Sequence, residues 1–208
     1  MISHTGSIHR FIFPSLLWRM NTDSIYLTFD DGPHPVATPA VLSILRSENV
    51  KATFFLTGSH VTKYPAIARS IVDEGHTLAI HGYTHTRQLA FSKKETQREI
   101  LETENAIVKS GSKAAKLFRP PFGFFLWNTL SAARQLDYRV VMWTTLTGDF
   151  RRAWSDTRVV STALSRLSGG SILVFHDNEL TQTRMTKILP DTIARIRDRG
   201  FTFRAIEA

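Results

Sequence analysis

Two adjacent carboxylates, Asp30 and Asp31, end an apolar run in YLTFDDGPHP, residues 26–35, and lie against a Gly-Pro turn. Side by side they repel each other unless a cation or a shared proton relieves them. HGYTH supplies two imidazoles, His81 and His85, at the i, i+4 spacing that shares one face of a helical turn. The zinc-protease form of that pair needs a glutamate directly after the first histidine, and Gly82 stands there instead. ILVFHD adds a further imidazole at His176, RPPFG a guanidinium at Arg119, and WTTLTGDF a carboxylate at Asp149. Each has an ordinary explanation alone, as a solvated turn, a coincidental spacing or a hydrogen-bonded pair. Together, two imidazoles and one carboxylate make a three-ligand metal site that leaves positions open for water and substrate. One of Asp30 and Asp31 can then ligate the ion while the other stays free to act as a base.

For these residues to meet, the elements carrying them must end at one place. Apolar strand-like runs occupy 25–29, 52–57, 77–80, 116–118, 138–143, 171–175 and 201–206. Helical patterns alternate with them: from Thr38 with Pro39 at its first position, from Tyr64 to Glu74, from the capping box at Ser92 to near Gly111, near 125–136 and 157–167, and a last one ending at Gly200 with Pro190 early in it. Such alternation predicts an α/β fold with parallel strands and helical crossovers. Asp30 and Asp31, His81, Arg119, Asp149 and His176 each fall at or just beyond the C-terminal end of a different strand. An open doubly wound sheet brings only its switch-point strands to a ligand, so this many converging ends favour a barrel.

Composition narrows the function classes. The chain has 208 residues with 42% apolar and no cysteine, which removes disulfides, thiolate nucleophiles and sulfur-ligated zinc. Its net charge is +8 and its pI about 10.1, but Lys and Arg are dispersed without a basic block, which argues against nucleic acid as a partner. No stretch approaches the roughly 20 apolar residues that span a bilayer. Residues 10–19, RFIFPSLLWR, are broken by Pro14 and lack a small-residue cleavage site. No signal peptide is evident, which favours a cytoplasmic or membrane-peripheral protein. The same ten residues could pack on the domain or make peripheral contact with a membrane interface. The sequence does not reveal the oligomeric state.

TFDDGPHP, HGYTH, RPPFG, WTTLTGDF and ILVFHD occur in the order and approximate spacing of the polysaccharide deacetylases, carbohydrate esterase family four, and the chain resembles that family from about Tyr26 to Phe203. The resemblance implies an irregular (β/α)7-8 barrel over residues 21–208, with residues 1–20 as an N-terminal extension. It implies a hydrolase that removes N-acetyl, or O-acetyl, groups from an acetylated glycan or amino-sugar substrate, using one divalent metal ion, zinc by preference. Asp31, His81 and His85 match the metal ligands, Asp30 the general base and His176 the general acid. Arg119 matches the arginine that orients the base, and Asp149 the carboxylate that tunes the acid. Phe122 sits where a backbone N–H holds the oxyanion, Leu173 where a side chain lines the acetyl pocket, and Phe150 replaces a frequent Trp in the pocket wall. Gly82 replaces a loop-stabilising Ser or Thr, and Leu146 a frequent Asp. His34, His60 and His76 read as structural or turn residues. Two alternatives use the same residues differently: a deformylase or deacylase of a lipid-linked amino sugar, and a glycan-binding protein without turnover.

Overall fold

The structure is a computed structural model that describes residues 11–207. Its strands are β1 Tyr26–Asp30, β2 Thr53–Leu56, β3 Thr77–Ile80, β4 Leu117–Phe118, β5 Arg139–Val140, β6 Thr145–Leu146 and β7 Ile172–His176. They form one sheet in the order β5-β4-β3-β2-β1-β7-β6, and every pairing in it is parallel. The two ends of that order, β5 and β6, follow one another in the chain, so the sheet curls into an irregular barrel with its seam at residues 141–144. β1 and β2 are buried along their whole length, which is why they read as continuous apolar runs instead of alternating ones. Phe29 stacks on Phe54 and Phe175 with ring centroids 5.0 and 6.1 Å away, binding the three central strands. Burying each such ring contributes about 1.5–3 kcal/mol.

Among the described residues, helices cover the sheet at α1 Ala37–Ser47, α2 Gly58–Lys63, α3 Pro65–Asp73, α4 Lys93–Lys109, α5 Trp127–Gln135, α6 Asp156–Leu164 and α7 Gln182–Arg197. The capping signal at Ser92 is realised: its side chain accepts the Glu95 N–H at 3.3 Å, an interaction of about 1 kcal/mol. α7 buries Met185, Ile188, Leu189, Ile193 and Ile196 on one face, and Pro190 stands in its middle instead of early in it. Pro39 is the third residue of α1, not the first. Ahead of it, His34 Nδ1 accepts the Val36 and Ala37 N–H groups. The expected helix at 64–74 is preceded by the short α2, whose single turn and a half is too brief to show a period.

Two strands differ from expectation. The run 138–143 forms a ladder only at Arg139–Val140. Beyond it the N-terminal segment intervenes: Leu17 N–H donates to Val140 and Met142 N–H to Leu17. Leu16, Leu17 and Trp18 are accordingly buried. The run 201–206 contributes one bridge, Phe203 to Ile25, below the barrel; the remaining sheet position beside β7 belongs to Thr145–Leu146. Two residues carry no periodic signal, so that strand was invisible in the sequence. No helix of the described residues is long and apolar enough to cross a membrane.

Candidate active site

Parallel pairing aligns the strand ends. Asp30 stands opposite His176 on β1 and β7 and opposite Phe55 on β2. Leu56 stands opposite Ile80, and Ile80 opposite Phe118. The residues that follow, Asp31, His81 and Arg119, therefore emerge together on the rim. Asp31 and His81 open on a cavity of about 290 Å³ that is lined also by Asp30, His85, Phe122 and His176, among others, whereas Arg119 is buried beneath it.

One ligand atom each from Asp31, His81 and His85 lies within 4.8 Å of the others. His81 Nε2 is 3.6 Å from Asp31 Oδ1, and His85 Nε2 is 3.0 Å from it. His81 Nδ1–H donates to the Arg119 carbonyl at 2.7 Å, which leaves the Nε2 lone pair facing the carboxylate. Burial pushes the His81 imidazole down to about 4, outweighing the upward pull of Asp30, so it is neutral at physiological pH. Burial alone would raise Asp31, but the His85 contact and the charge of His176 hold it well below the usual carboxylate range. Asp31 Oδ1 is buried, yet no donor completes a hydrogen bond to it. His81 Nε2, whose ring proton is spent on Nδ1, and Asp31 Oδ1 are thus two acceptors facing one another at 3.6 Å, an arrangement that a cation satisfies, and nitrogen and oxygen ligands of this kind suit zinc and related divalent ions.

The spacing of the two histidines suggests a helical turn, but they lie on a loop in which Gly82 has φ +86° and His85 φ +53°. That loop is held by Glu99, a buried carboxylate on α4. It accepts the Tyr83 and Thr84 N–H groups at 2.6 and 2.8 Å and the Thr84 hydroxyl at 2.7 Å. Glu99 thus ties the loop to α4. It was not legible in the sequence because it sits 18 residues after His81 in an otherwise unremarkable charged helix.

Asp30 and His176 are each fixed by one ionic partner. Arg119, fully buried, donates to Asp30 Oδ1 at 2.6 Å and spreads its other donors over Thr28 and the Val141 and Met142 carbonyls. Asp30 Oδ2 faces His81 Nε2 at 3.9 Å. Asp149 accepts the His176 backbone N–H at 2.7 Å and its Nδ1–H at 2.9 Å. Burial would lower His176, but Asp149, with the charges of Asp31 and Asp30 behind it, raises it to about 10, which favours the imidazolium, and His176 lines the cavity. Phe150 packs edge-on against it at 5.0 Å.

Phe122 lies in the left-handed region at φ +60°, beside His85 at 4.6 Å between ring centroids. Its turn is closed by the Gly123 N–H donating to Pro120 and the Phe124 N–H to Pro121, bonds that do not use the Phe122 N–H. Gly123 is required by space: a Cβ there would stand 2.2 Å from the Trp143 ring. Leu173 is a correction. It is fully buried in β7 opposite Leu27 and is absent from the cavity wall, because strand side chains alternate and His176 faces the cavity three residues on. Trp143, Leu146 and Leu180 supply apolar wall instead. His60 donates from Nδ1 to the Asp31 carbonyl at 2.8 Å, and His76 Nδ1 accepts the Ala52 N–H; both are structural.

Residues 19–141 match the polysaccharide deacetylase family. The chain belongs to that family. It is 33% identical over 194 residues to a chitooligosaccharide deacetylase of Sinorhizobium fredii, covering 88% of this chain and 90% of that protein. A peptidoglycan-N-acetylglucosamine deacetylase of Bacillus cereus is 35% identical over 156 residues, covering 75% of this chain and 56% of its own. In structure the family member resembles a crystallised peptidoglycan N-acetylglucosamine deacetylase, with a TM-score of 0.88, 28% identity, and coverage of 97% of this chain and 95% of that one. The barrel is thus the family's.

Proposed function

We propose that the protein is a metal-dependent hydrolase that removes N-acetyl groups from an amino-sugar-containing glycan, with one divalent ion, zinc by preference, on Asp31, His81 and His85. The observation that carries this reading is a single cavity onto which three metal donors, an arginine-held carboxylate and an aspartate-held imidazole all open. The deacetylases named among its relatives support the substrate class. Bound there, the ion would polarise the acetyl carbonyl and make water more acidic. Asp30, aimed by Arg119, takes a proton from the attacking water. The Phe122 N–H is available to donate to the carbonyl oxygen as it gains charge. His176 gives its Nε2 proton to the departing nitrogen, so that the C–N bond breaks to acetate and a free amine. Asp149 holds the imidazole in the protonated form that this step needs.

The test is acetate release from acetylated chitooligosaccharides and peptidoglycan fragments, with formate release from N-formyl amino sugars measured alongside. The expected result is acetate production that stops in the chelator-stripped protein and returns with added zinc. Formate alone would move the reading to a deformylase, and no product from any substrate would overturn it. Contact with an anionic membrane surface is proposed as well, through Phe11, Ile12 and Trp127. These are 86%, 57% and 77% exposed, whereas Leu16 to Trp18 lie in the core and residue 10 falls outside the described residues. Replacing the three with serine is expected to abolish sedimentation with phosphatidylserine vesicles at low salt; unchanged sedimentation would dismiss the contact.

A further inference from the structure

Asp177 and Asn178, the two residues after the rim imidazole, grip two successive residues of the aspartate turn. Asp177 Oδ1 accepts the Gly32 N–H at 3.1 Å, and Asn178 Nδ2 donates to Asp31 Oδ2 at 2.8 Å. The approach is close enough that a Cβ on Gly32 would stand 2.3 Å from the Asp177 carboxylate. Nor is the Asn178 amide free to flip. Its Oδ1 accepts the Leu180 N–H at 3.0 Å, with the Thr181 hydroxyl 3.4 Å away. With Oδ1 turned to those donors, Nδ2 must face Asp31.

We infer that Asn178 is a positioning residue for the metal ligand Asp31: it occupies Oδ2 so that Oδ1 alone is presented to the ion. This rests on the metal reading above. A carboxylate free to rotate can offer one oxygen or two, and its orientation must be restrained before binding. Here Oδ1, the oxygen without a hydrogen bond, is the one that faces His81 and His85. A neutral amide restrains the carboxylate without cancelling its charge, as a lysine or arginine would. Because Asn178 follows His176 by two residues, and Thr181 ties the His176 carbonyl into the same turn at 2.5 Å, the clamp also holds the ligand in register with the proposed acid. In metal sites generally, losing such an outer partner weakens affinity by about 10- to 100-fold.

The experiment is zinc titration of the chelator-stripped full chain by competition with a chromophoric chelator. Wild type, His81→Ala, Asn178→Ala and Asn178→Ser are compared. Serine can still accept the Leu180 N–H in a Ser-type turn but is too short to reach Asp31. Asn178→Ala and Asn178→Ser are both expected to bind zinc about 10- to 100-fold more weakly than wild type. Wild-type affinity in Asn178→Ser would show that only the turn matters and would overturn the inference, even where Asn178→Ala fails to fold. The His81→Ala protein separates the two levels. If it binds zinc as wild type does, the metal reading falls and takes this inference with it. If it loses zinc while Asn178→Ser keeps it, this inference alone is refuted.

Discussion

Asp30→Asn is expected to keep the bound divalent ion and to lose acetate release by about 100- to 10,000-fold, the usual contribution of a positioned base; Asp31→Asn is expected to lose both. The reason is geometric. Asp30 spends one oxygen on Arg119 at 2.6 Å and holds the other 3.9 Å from His81, whereas Asp31 Oδ1 lies 3.0 Å from His85 and 3.6 Å from His81. Zinc content by elemental analysis and acetate release, measured on both variants, decide the matter. Zinc loss in Asp30→Asn with zinc retained in Asp31→Asn reverses the roles, and equal loss means that both carboxylates ligate. Removing one member of a buried ion pair costs about 3–5 kcal/mol. Thermal melts must therefore show that Asp30→Asn is folded, with the substituted amide and the acceptors at Thr28, Val141 and Met142 sharing the Arg119 donors.

The second large effect separates the acid from the base. An amine cannot leave as its anion, so an amide substrate needs a proton donor at the nitrogen, while a nitrophenolate departs unaided. His176→Ala is expected to depress N-deacetylation by about 100- to 10,000-fold and hydrolysis of nitrophenyl acetate far less. Asp30→Asn is expected to depress both, since both reactions would use the activated water. The Asp149 contact sharpens the expectation. Asp149 bonds both the backbone N–H and Nδ1 of His176, so Asp149→Asn loses the charge that raises the imidazole to about 10 and shifts the alkaline limb of N-deacetylation to lower pH. Parallel losses on both substrates in His176→Ala, with a lowered melting temperature, would instead assign His176 to the structure of the rim.

How much of this was written in the chain differs from residue to residue. The ionic residues of the site were legible because chemistry concentrates them in short motifs at strand ends, and parallel pairing then brings those ends together whatever the loops do. The long strands and capped helices were legible because burial on two faces or one leaves a pattern over five residues or more, as in β1 and in α4 behind Ser92. Where the segment was two residues long, as at Thr145–Leu146, no pattern existed to read. Leu173 is a different case: the resemblance put it on the pocket, although alternation counted back three residues from His176 already turns it to the opposite face of β7.

What the sequence determined by itself was the identity of the chemical groups and the parallel α/β scaffold, since both follow from local composition. What only the tertiary structure decided was everything that makes those groups act in concert. Glu99 bonds a loop 15 residues before it, and Asn178 reaches Asp31 across 147 residues of chain. Trp143 fills space that the glycine at 123 leaves vacant. These partners carry no signature of their own, because a hydrogen bond between distant segments needs only a donor and an acceptor at about 2.9 Å, and almost any polar residue can provide one.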